Sequence, residues 1–451
     1  MRPSRVTLAS DTICAIASSA AVGGVGVIRI SGPRSLEVLR RVAPFMGECP
    51  EPSRLSYGRF RDGQGSVIDD GYAVYLPGPR TFTGDDVAEV HGHGGAVNLA
   101  RLLRAFQAAG ARTAERGEFS LRAFRNGRLD LAQAEAIADL VEAPTEAALE
   151  LARAQYDGEL SRIVRAVRAA LTDVLAAVEV QIDFVDEDLG DALTARVVAP
   201  LRDSLARLVA LKSTWARGRL MRIAARIVLT GPPNAGKSSL FNVLLDRSRA
   251  IVSARPGTTR DFLEDALDLG GYPVTLIDTA GLRDETDDDI ESAGMLRAIE
   301  LAQSADAVLW LHREGEPPPL ALCRHPGLIR VWTQLDRQPA FASMPWDGDV
   351  RISVVTGEGL DALRTLLFER VVPAGSREGG TAIVTSERHH AALDAACVAV
   401  SDAIAADERR LPPELIAIDV KEALDQLGLI VGDTTTEDVL DRIFSRFCIG
   451  K

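Results

Sequence analysis

The chain has 451 residues, enough for two to four domains with separate cores. With 46% hydrophobic and 25% charged residues it has the composition of a folded protein, and no apolar run approaches the roughly 18 residues of a membrane span. A net charge of −13 argues against sequence-blind binding to nucleic acid, which rests on clustered positive charge, while leaving a local basic patch open.

The five cysteines, at 14, 49, 323, 397 and 448, form no CxxC pair. Neither a disulfide framework nor a zinc site is implied, and a reducing cytoplasm fits. At the N-terminus two arginines precede an Ala-rich stretch, but Asp11 interrupts it and VGVIRI reads as a strand. Mature structure is expected there rather than a targeting signal.

Taken in chain order, residues 1–122 mix short strands with turns. VGVIRI ends at Ser31-Gly32-Pro33, GYAVYL stops at Pro77-Gly78-Pro79, and DDVAEV enters a glycine turn. A helix, NLARLLRAFQAAGA, closes at Gly110. From about 123 to 222 apolar residues recur at helical spacing with few breakers, which predicts a bundle of long helices.

Between 223 and 376 the texture becomes strand–loop–helix: RIVLTG, TLIDTAG, DAVLWLH, LIRVWTQLD and VRISVVTG. Apolar strands alternating with helices predict a mainly parallel sheet covered on both faces. Helical pattern returns over 377–451, so one helical domain is expected to be interrupted by an inserted α/β domain.

The inserted domain opens on Gly231-Pro232-Pro233-Asn234-Ala235-Gly236-Lys237-Ser238, a GxxxxGK[ST] loop between an apolar strand and a helix. Its glycines let the backbone wrap phosphates, and the amides and helix N-terminus supply positive potential. Ala235, Gly236 and Ser239 belong to that cradle. Lys237 would pair with the β/γ-phosphates, and the Ser238 hydroxyl would ligate Mg²⁺. A bare glycine turn before a helix is the bland alternative.

Three further elements follow in the order a GTPase needs. Ser253, Ala254, Arg255, Pro256, Gly257, Thr258 and Thr259 supply a switch loop in which Thr259 would close on Mg²⁺ and the γ-phosphate. Asp278-Thr279-Ala280-Gly281 matches DxxG at a strand end. Asp278 would reach Mg²⁺ through water and the Gly281 amide would sense the γ-phosphate. Leu282, directly after that glycine, cannot orient water, so hydrolysis must recruit another group.

The base-reading segment departs from the usual NKxD. Thr333-Gln334-Leu335-Asp336 replaces its asparagine and lysine but keeps the carboxylate. Asp336 can accept from the guanine N1–H and 2-amino group, which adenine lacks. Ser353 and the amide of Val354 stand where guanine O6 is usually met. Guanine selectivity with weakened affinity is expected, an ATPase being the minor alternative.

Over essentially its whole length the chain resembles the MnmE (TrmE) family of bacterial tRNA-modifying GTPases. The resemblance is carried by GGVGVIRISG (23–32), FTGDDVAEVHGHGG (82–95), RGEFSLRAFRNGRLDLAQAEAIADL (116–140), PNAGKSSLFN, PGTTRD, DTAGLRD and the terminal FCIGK. It implies an N-terminal α/β folate-binding and dimerising domain, and a helical domain interrupted by a Ras-like P-loop G domain.

The resemblance further implies K⁺-activated GTP hydrolysis, with Asn234, Ser253, Arg255 and Thr258 around the K⁺. The cation would stand where an arginine finger stabilises developing charge. Glu291 aligns with the family's water-orienting glutamate, with Asp289 the alternative register. A 5,10-methylene- or 5-formyl-tetrahydrofolate would meet Arg29, Glu89, Arg128 and Lys451, Arg128 standing where lysine is usual.

Cys448 is either a family functional residue or a small buried side chain. The implied partners are a second copy of the chain, the flavoprotein MnmG in a heterotetramer, and tRNA, whose wobble uridine is modified at C5. Arg29 also reads as a surface ion pair. The pair His91 and His93 lacks co-ligands at metal spacing, and Arg153, Arg162, Arg165 and Arg168 read mainly as a solvated helix face. A rival class is a GTP-driven RNA- or ribosome-assembly switch without one-carbon chemistry, which would lack the 82–95 and terminal motifs.

Overall fold

The computed structural model describes residues 11–18, 23–183, 191–246, 263–279, 299–313, 317–337, 350–372 and 383–450. By their contacts they form two compact units: residues through Ala138 together with those from Gly428 onward, and Asp139–Leu427. The C-terminal end of the expected second helical part thus groups with the N-terminal unit. No described helix is long and apolar enough to cross a membrane.

The first unit is built on β1 (Ile13–Ile16), β2 (Val25–Ser31), α1 (Ser35–Val42), β3 (Ser56–Arg61), β4 (Val67–Leu76), β5 (Val87–His93), α2 (Ala96–Ala108), β6 (Arg112–Thr113) and α3 (Glu118–Arg125). The sheet order is β3-β4-β5-β2-β1-β6, antiparallel except for the β1–β6 edge. Strand alternation sorts its side chains. Ile28, Ile30, Ala88 and Val90 pack with Val38, Leu39, Leu102 and Phe106 of α1 and α2. The intervening residues point the other way, so Ala15, Arg29, Glu89 and Val74 lie side by side across four strands.

An ion cluster holds α3 to β1 and β6. Arg112 bonds Glu118 at 2.7 Å and Asp11 at 2.8 Å, while Arg122 bonds Asp11 at 2.7 Å and Glu118 at 3.0 Å. The Glu118 and Arg122 side chains are only 3% and 4% exposed. Burial alone would raise the Glu118 carboxyl, but hydrogen bonds and charge from Arg112, the Glu115 amide and Arg122 hold it below the usual carboxylate value. Asp11 is lowered against its own burial by the same two arginines.

The second unit begins within α4 (Leu131–Glu142) and continues through α5 (Glu146–Tyr156), α6 (Glu159–Asp183), α7 (Asp191–Ser213) and α8 (Trp215–Arg222). Two of these long helices meet at Gly158, whose φ of +85° is left-handed backbone open to glycine. The sheet follows: β7 (Ala225–Thr230), α9 (Lys237–Asp246), β8 (Leu263–Leu269), β9 (Tyr272–Asp278), β10 (Ala307–His312), β11 (Leu328–Trp332), β12 (Val350–Arg351) and α10 (Leu360–Val371). Then come α11 (Glu387–Glu408) and α12 (Pro413–Val431), which runs into the first unit, while α13 (Glu437–Phe444) belongs to the first unit.

Sheet order is β12-β11-β10-β7-β9-β8, parallel except for β8 against β9. Both faces are covered: Ile227 and Leu229 belong to one core and Val228 to another. The expected doubly covered parallel sheet is therefore found. The antiparallel β8 was not anticipated, because three acidic residues break its apolar pattern.

Removing one partner of a buried ion pair leaves the other uncompensated, so Glu118→Gln should destabilise the protein by about 3 kcal/mol at pH 7. Both carboxyls have depressed folded pKa values. Their stabilisation is present above the unfolded pKa of about 4 and is lost as pH falls through the lower folded values. Urea unfolding at several pH values should show wild-type stability falling below about pH 4, with a flatter fall in Glu118→Gln. Equal profiles would contradict this assignment.

Candidate functional site

β7 feeds the phosphate loop and α9 leaves it, so residues 231–238 turn sharply at the C-terminal end of the parallel sheet. Gly231 has φ +146°, and a Cβ there would fall 2.1 Å from the Leu311 carbonyl oxygen on β10. Gly236 has φ +89° and Asn234 φ +61°. A helix N-terminus and bared amides converge on this turn, the arrangement that binds anions. Lys237 is 7% exposed, and its Nζ donates to the carbonyls of Gly231 at 3.0 Å and Pro232 at 2.9 Å.

At the next strand end the Ser238 hydroxyl donates to Asp278 Oδ2 at 2.7 Å. Asp278 is fully buried, and Thr279 beside it donates to the Leu229 carbonyl at 2.8 Å. Two hard oxygen donors side by side next to a phosphate cradle suit Mg²⁺, so the residues fit that ion.

The base-reading loop contacts the phosphate loop directly. Buried Thr333 donates its hydroxyl to the Ala235 carbonyl at 2.8 Å, with the His312 carbonyl at 3.3 Å. Threonine thus performs the bracing expected of asparagine. Gln334, with φ +62°, donates its amide to the Asn234 carbonyl at 3.0 Å. Ser353 donates to Asp336 Oδ1 at 2.7 Å. A cavity of about 160 Å³ opens here, lined by Ser239, Thr333, Gln334, Asp336, Arg337 and Val355, among others.

Lys237, Ser238, Asp278, Thr279, Asp336 and Ser353 are therefore gathered on one side of the sheet with Asn234, Ala235, Gly236 and Ser239. Ser253, Ala254, Arg255, Pro256, Gly257, Thr258, Thr259, Ala280, Gly281, Glu291 and Lys451 lie outside the described residues.

In the first unit Arg29 and Glu89 face each other on β2 and β5 and form an ion pair at 2.7 Å. The pair is part-buried, the Arg29 side chain being 26% exposed. Its guanidinium lies 5.7 Å from the Phe82 ring centre and 5.9 Å from that of Phe119. Arg128 donates to the Thr81 carbonyl at 3.1 Å, next to Phe82. The C-terminal tail reaches the same sheet at the end of β1: a Cβ on Gly450 would fall 2.4 Å from the Ile16 carbonyl oxygen.

Arg116 binds the tail through the Phe447 carbonyl at 3.0 Å and pairs with Ile449. Cys448 is exposed, so its reading as a buried filler is overturned. Cation, carboxylate and aromatic rings together suit a ligand with an anionic tail and a planar polar ring. A folate fits these residues.

His93 differs from expectation. Asp69 and Asp70 on β4 come within reach of its Nδ1, which Asp69 meets at 2.7 Å. These carboxylates are over twenty residues away in sequence, and local spacing could not show them. The Asp69 hydrogen bond pushes the His93 pKa up.

A phosphate loop on a doubly covered parallel sheet, a Ser–Asp pair at its metal side and an aspartate in the base loop define a P-loop GTPase set among helices. A family model described as the TrmE N-terminus of a GTP-binding protein matches residues 12–128, and one described as the MnmE helical domain matches residues 131–448. The tRNA modification GTPase MnmE of Methylorubrum populi is 45% identical over 98% of each chain. That of Alkalilimnicola ehrlichii is 42% identical over 98% of this chain and 100% of its own. The G domain of the T. maritima FeoB iron transporter aligns with 33% of this chain at 27% identity and a TM-score of 0.25. The chain belongs to the MnmE/TrmE family.

Thr333→Val keeps the side-chain shape but strips the Ala235 carbonyl of its hydroxyl donor. It should cost about 1–2 kcal/mol in urea unfolding and weaken GTP binding about tenfold, with Thr333→Ser close to wild type. Unchanged affinity in a fluorescent-nucleotide titration would remove the bracing role.

Proposed function

We propose that this chain is a K⁺-activated GTPase that, with a flavoprotein partner, modifies C5 of the wobble uridine of certain tRNAs using a tetrahydrofolate one-carbon unit. The observation that carries the proposal is the seating of the 447–450 tail beside the sheet face that presents Arg29 and Glu89. A GTPase acting only as an assembly switch has no use for such a second site.

In the G domain, Lys237 would neutralise the β/γ-phosphates, and Ser238, Thr259 and Asp278 would hold Mg²⁺. Mg²⁺ and K⁺, when bound, stabilise charge developing on the phosphates. Asn234 offers an exposed side-chain oxygen to K⁺ from a backbone turn fixed by Gln334. Glu291 orients the attacking water in place of Leu282.

In the N-terminal unit, Glu89 accepts from the pterin amino and N–H groups. Arg29, ion-paired with Glu89 at 2.7 Å, would stand beside the pterin, and Arg128 and Lys451 would offer charge to the anionic glutamate tail. A second copy of the chain and the flavoprotein MnmG complete the assembly as a heterotetramer. GTP turnover would drive the association and release of two G domains, and this would reposition the helical domain and the bound folate.

Calorimetry with 5-formyltetrahydrofolate should show binding to the wild type and about tenfold weaker binding to Glu89→Gln, the cost of one charge-assisted contact. No heat with the wild type would favour the assembly switch. Turnover should be faster in KCl than in NaCl; equal rates would take the cation from Asn234.

A further inference from the structure

We infer that Arg337 covers the nucleotide base, supplying from a new position the cationic side chain that the base-reading loop lacks at 334. The inference rests on the reading that the cavity beside Asp336 receives guanine. Three observations support it.

First, Gln334 cannot supply that charge, because its side chain is a neutral amide. That amide is also committed: with left-handed backbone at 334, its Nε2 lies 3.0 Å from the Asn234 carbonyl. The side chain latches two loops together instead of lying over a ring.

Second, the 3₁₀ turn Leu335–Arg337 is closed by the Arg337 amide on the Gln334 carbonyl at 3.0 Å, which sets residue 337 one turn beyond 334. Arg337 lines the same cavity as Asp336 and Val355.

Third, Arg337 is exposed, and among the described residues its guanidinium has no hydrogen bond, ion pair or ring contact. By contrast, Arg351 nearby lies over the Trp332 ring. A planar guanidinium with unused faces at the rim of a base-sized slot is suited to stack on a heterocycle. Val355 is 81% exposed at the same rim and offers an apolar contact. The base would then meet three kinds of group: Asp336 at its edge, the arginine plane on a face, and valine beside it.

The test uses the full-length chain and fluorescent GDP and GTP. Arg337→Met should weaken both nucleotides about tenfold, through faster dissociation. Arg337→Lys should lose less. The double variant Arg337→Met with Gln334→Lys should recover most of the loss, since a lysine stem is returned to the place that Gln334 occupies. Recovery in the double variant also shows that the single variant had folded. Arg337→Met binding within about twofold of wild type, or no recovery in the double variant, would overturn the inference.

Asp336→Asn separates the two levels. If it abolishes guanine preference while Arg337→Met has no effect, the cavity takes the base and only the role of Arg337 fails. If Asp336→Asn leaves guanine preference intact, the placement of the base fails, and Arg337 with it.

Discussion

The G domain depends on one constraint: a stretch of main chain must present its amides to an anion without any side chain filling the space. Gly231 shows how tight that constraint is, because a Cβ there would stand 2.1 Å from the Leu311 carbonyl. The loop passes so close to β10 that only hydrogen fits. Its far side is held by the Thr333 hydroxyl on the Ala235 carbonyl and the Gln334 amide on the Asn234 carbonyl. Fixed from both sides, the turn keeps its donors aimed at one point, and binding a phosphate then requires little reorganisation.

That arrangement joins three functions through the backbone. Asn234 contributes its carbonyl to the base loop and its side chain to the face where a monovalent cation is proposed. Lys237 is buried among loop carbonyls that share its charge. Ser238, the next residue, begins the metal side through Asp278, at the end of the strand adjacent to β7. Base, phosphate and metal groups thus lie within eight consecutive residues and the loops that touch them.

Much of this was legible in the sequence. The spacing from Gly231 to Ser238, an apolar strand before it and a helix after it specify the loop, with glycine placed at two positions of left-handed φ. Asp278 could be read from its place at the end of an apolar run. Thr333 and Gln334 were visible as departures, but which bonds they made was not, because a hydroxyl and an amide have many possible acceptors. Only the folded chain places the Ala235 and Asn234 carbonyls within reach. Position 337 gave no signal, for an arginine after a conserved-type aspartate reads as ordinary surface.

The N-terminal unit shows a second limit of linear reading. Arg29 and Glu89 are sixty residues apart, and their pairing follows from an antiparallel register that local pattern cannot supply. The neighbouring β4–β5 pairing likewise brings Asp69 to His93, a contact that spacing along the chain does not show. The terminal motif is more telling still. Its last residues mean nothing as an isolated tail, yet Arg116 and Ile16 at the end of β1 seat them against the sheet that carries the Arg29–Glu89 pair. A tail exposing Cys448 from such a seat is held against the very domain whose ligand it would serve.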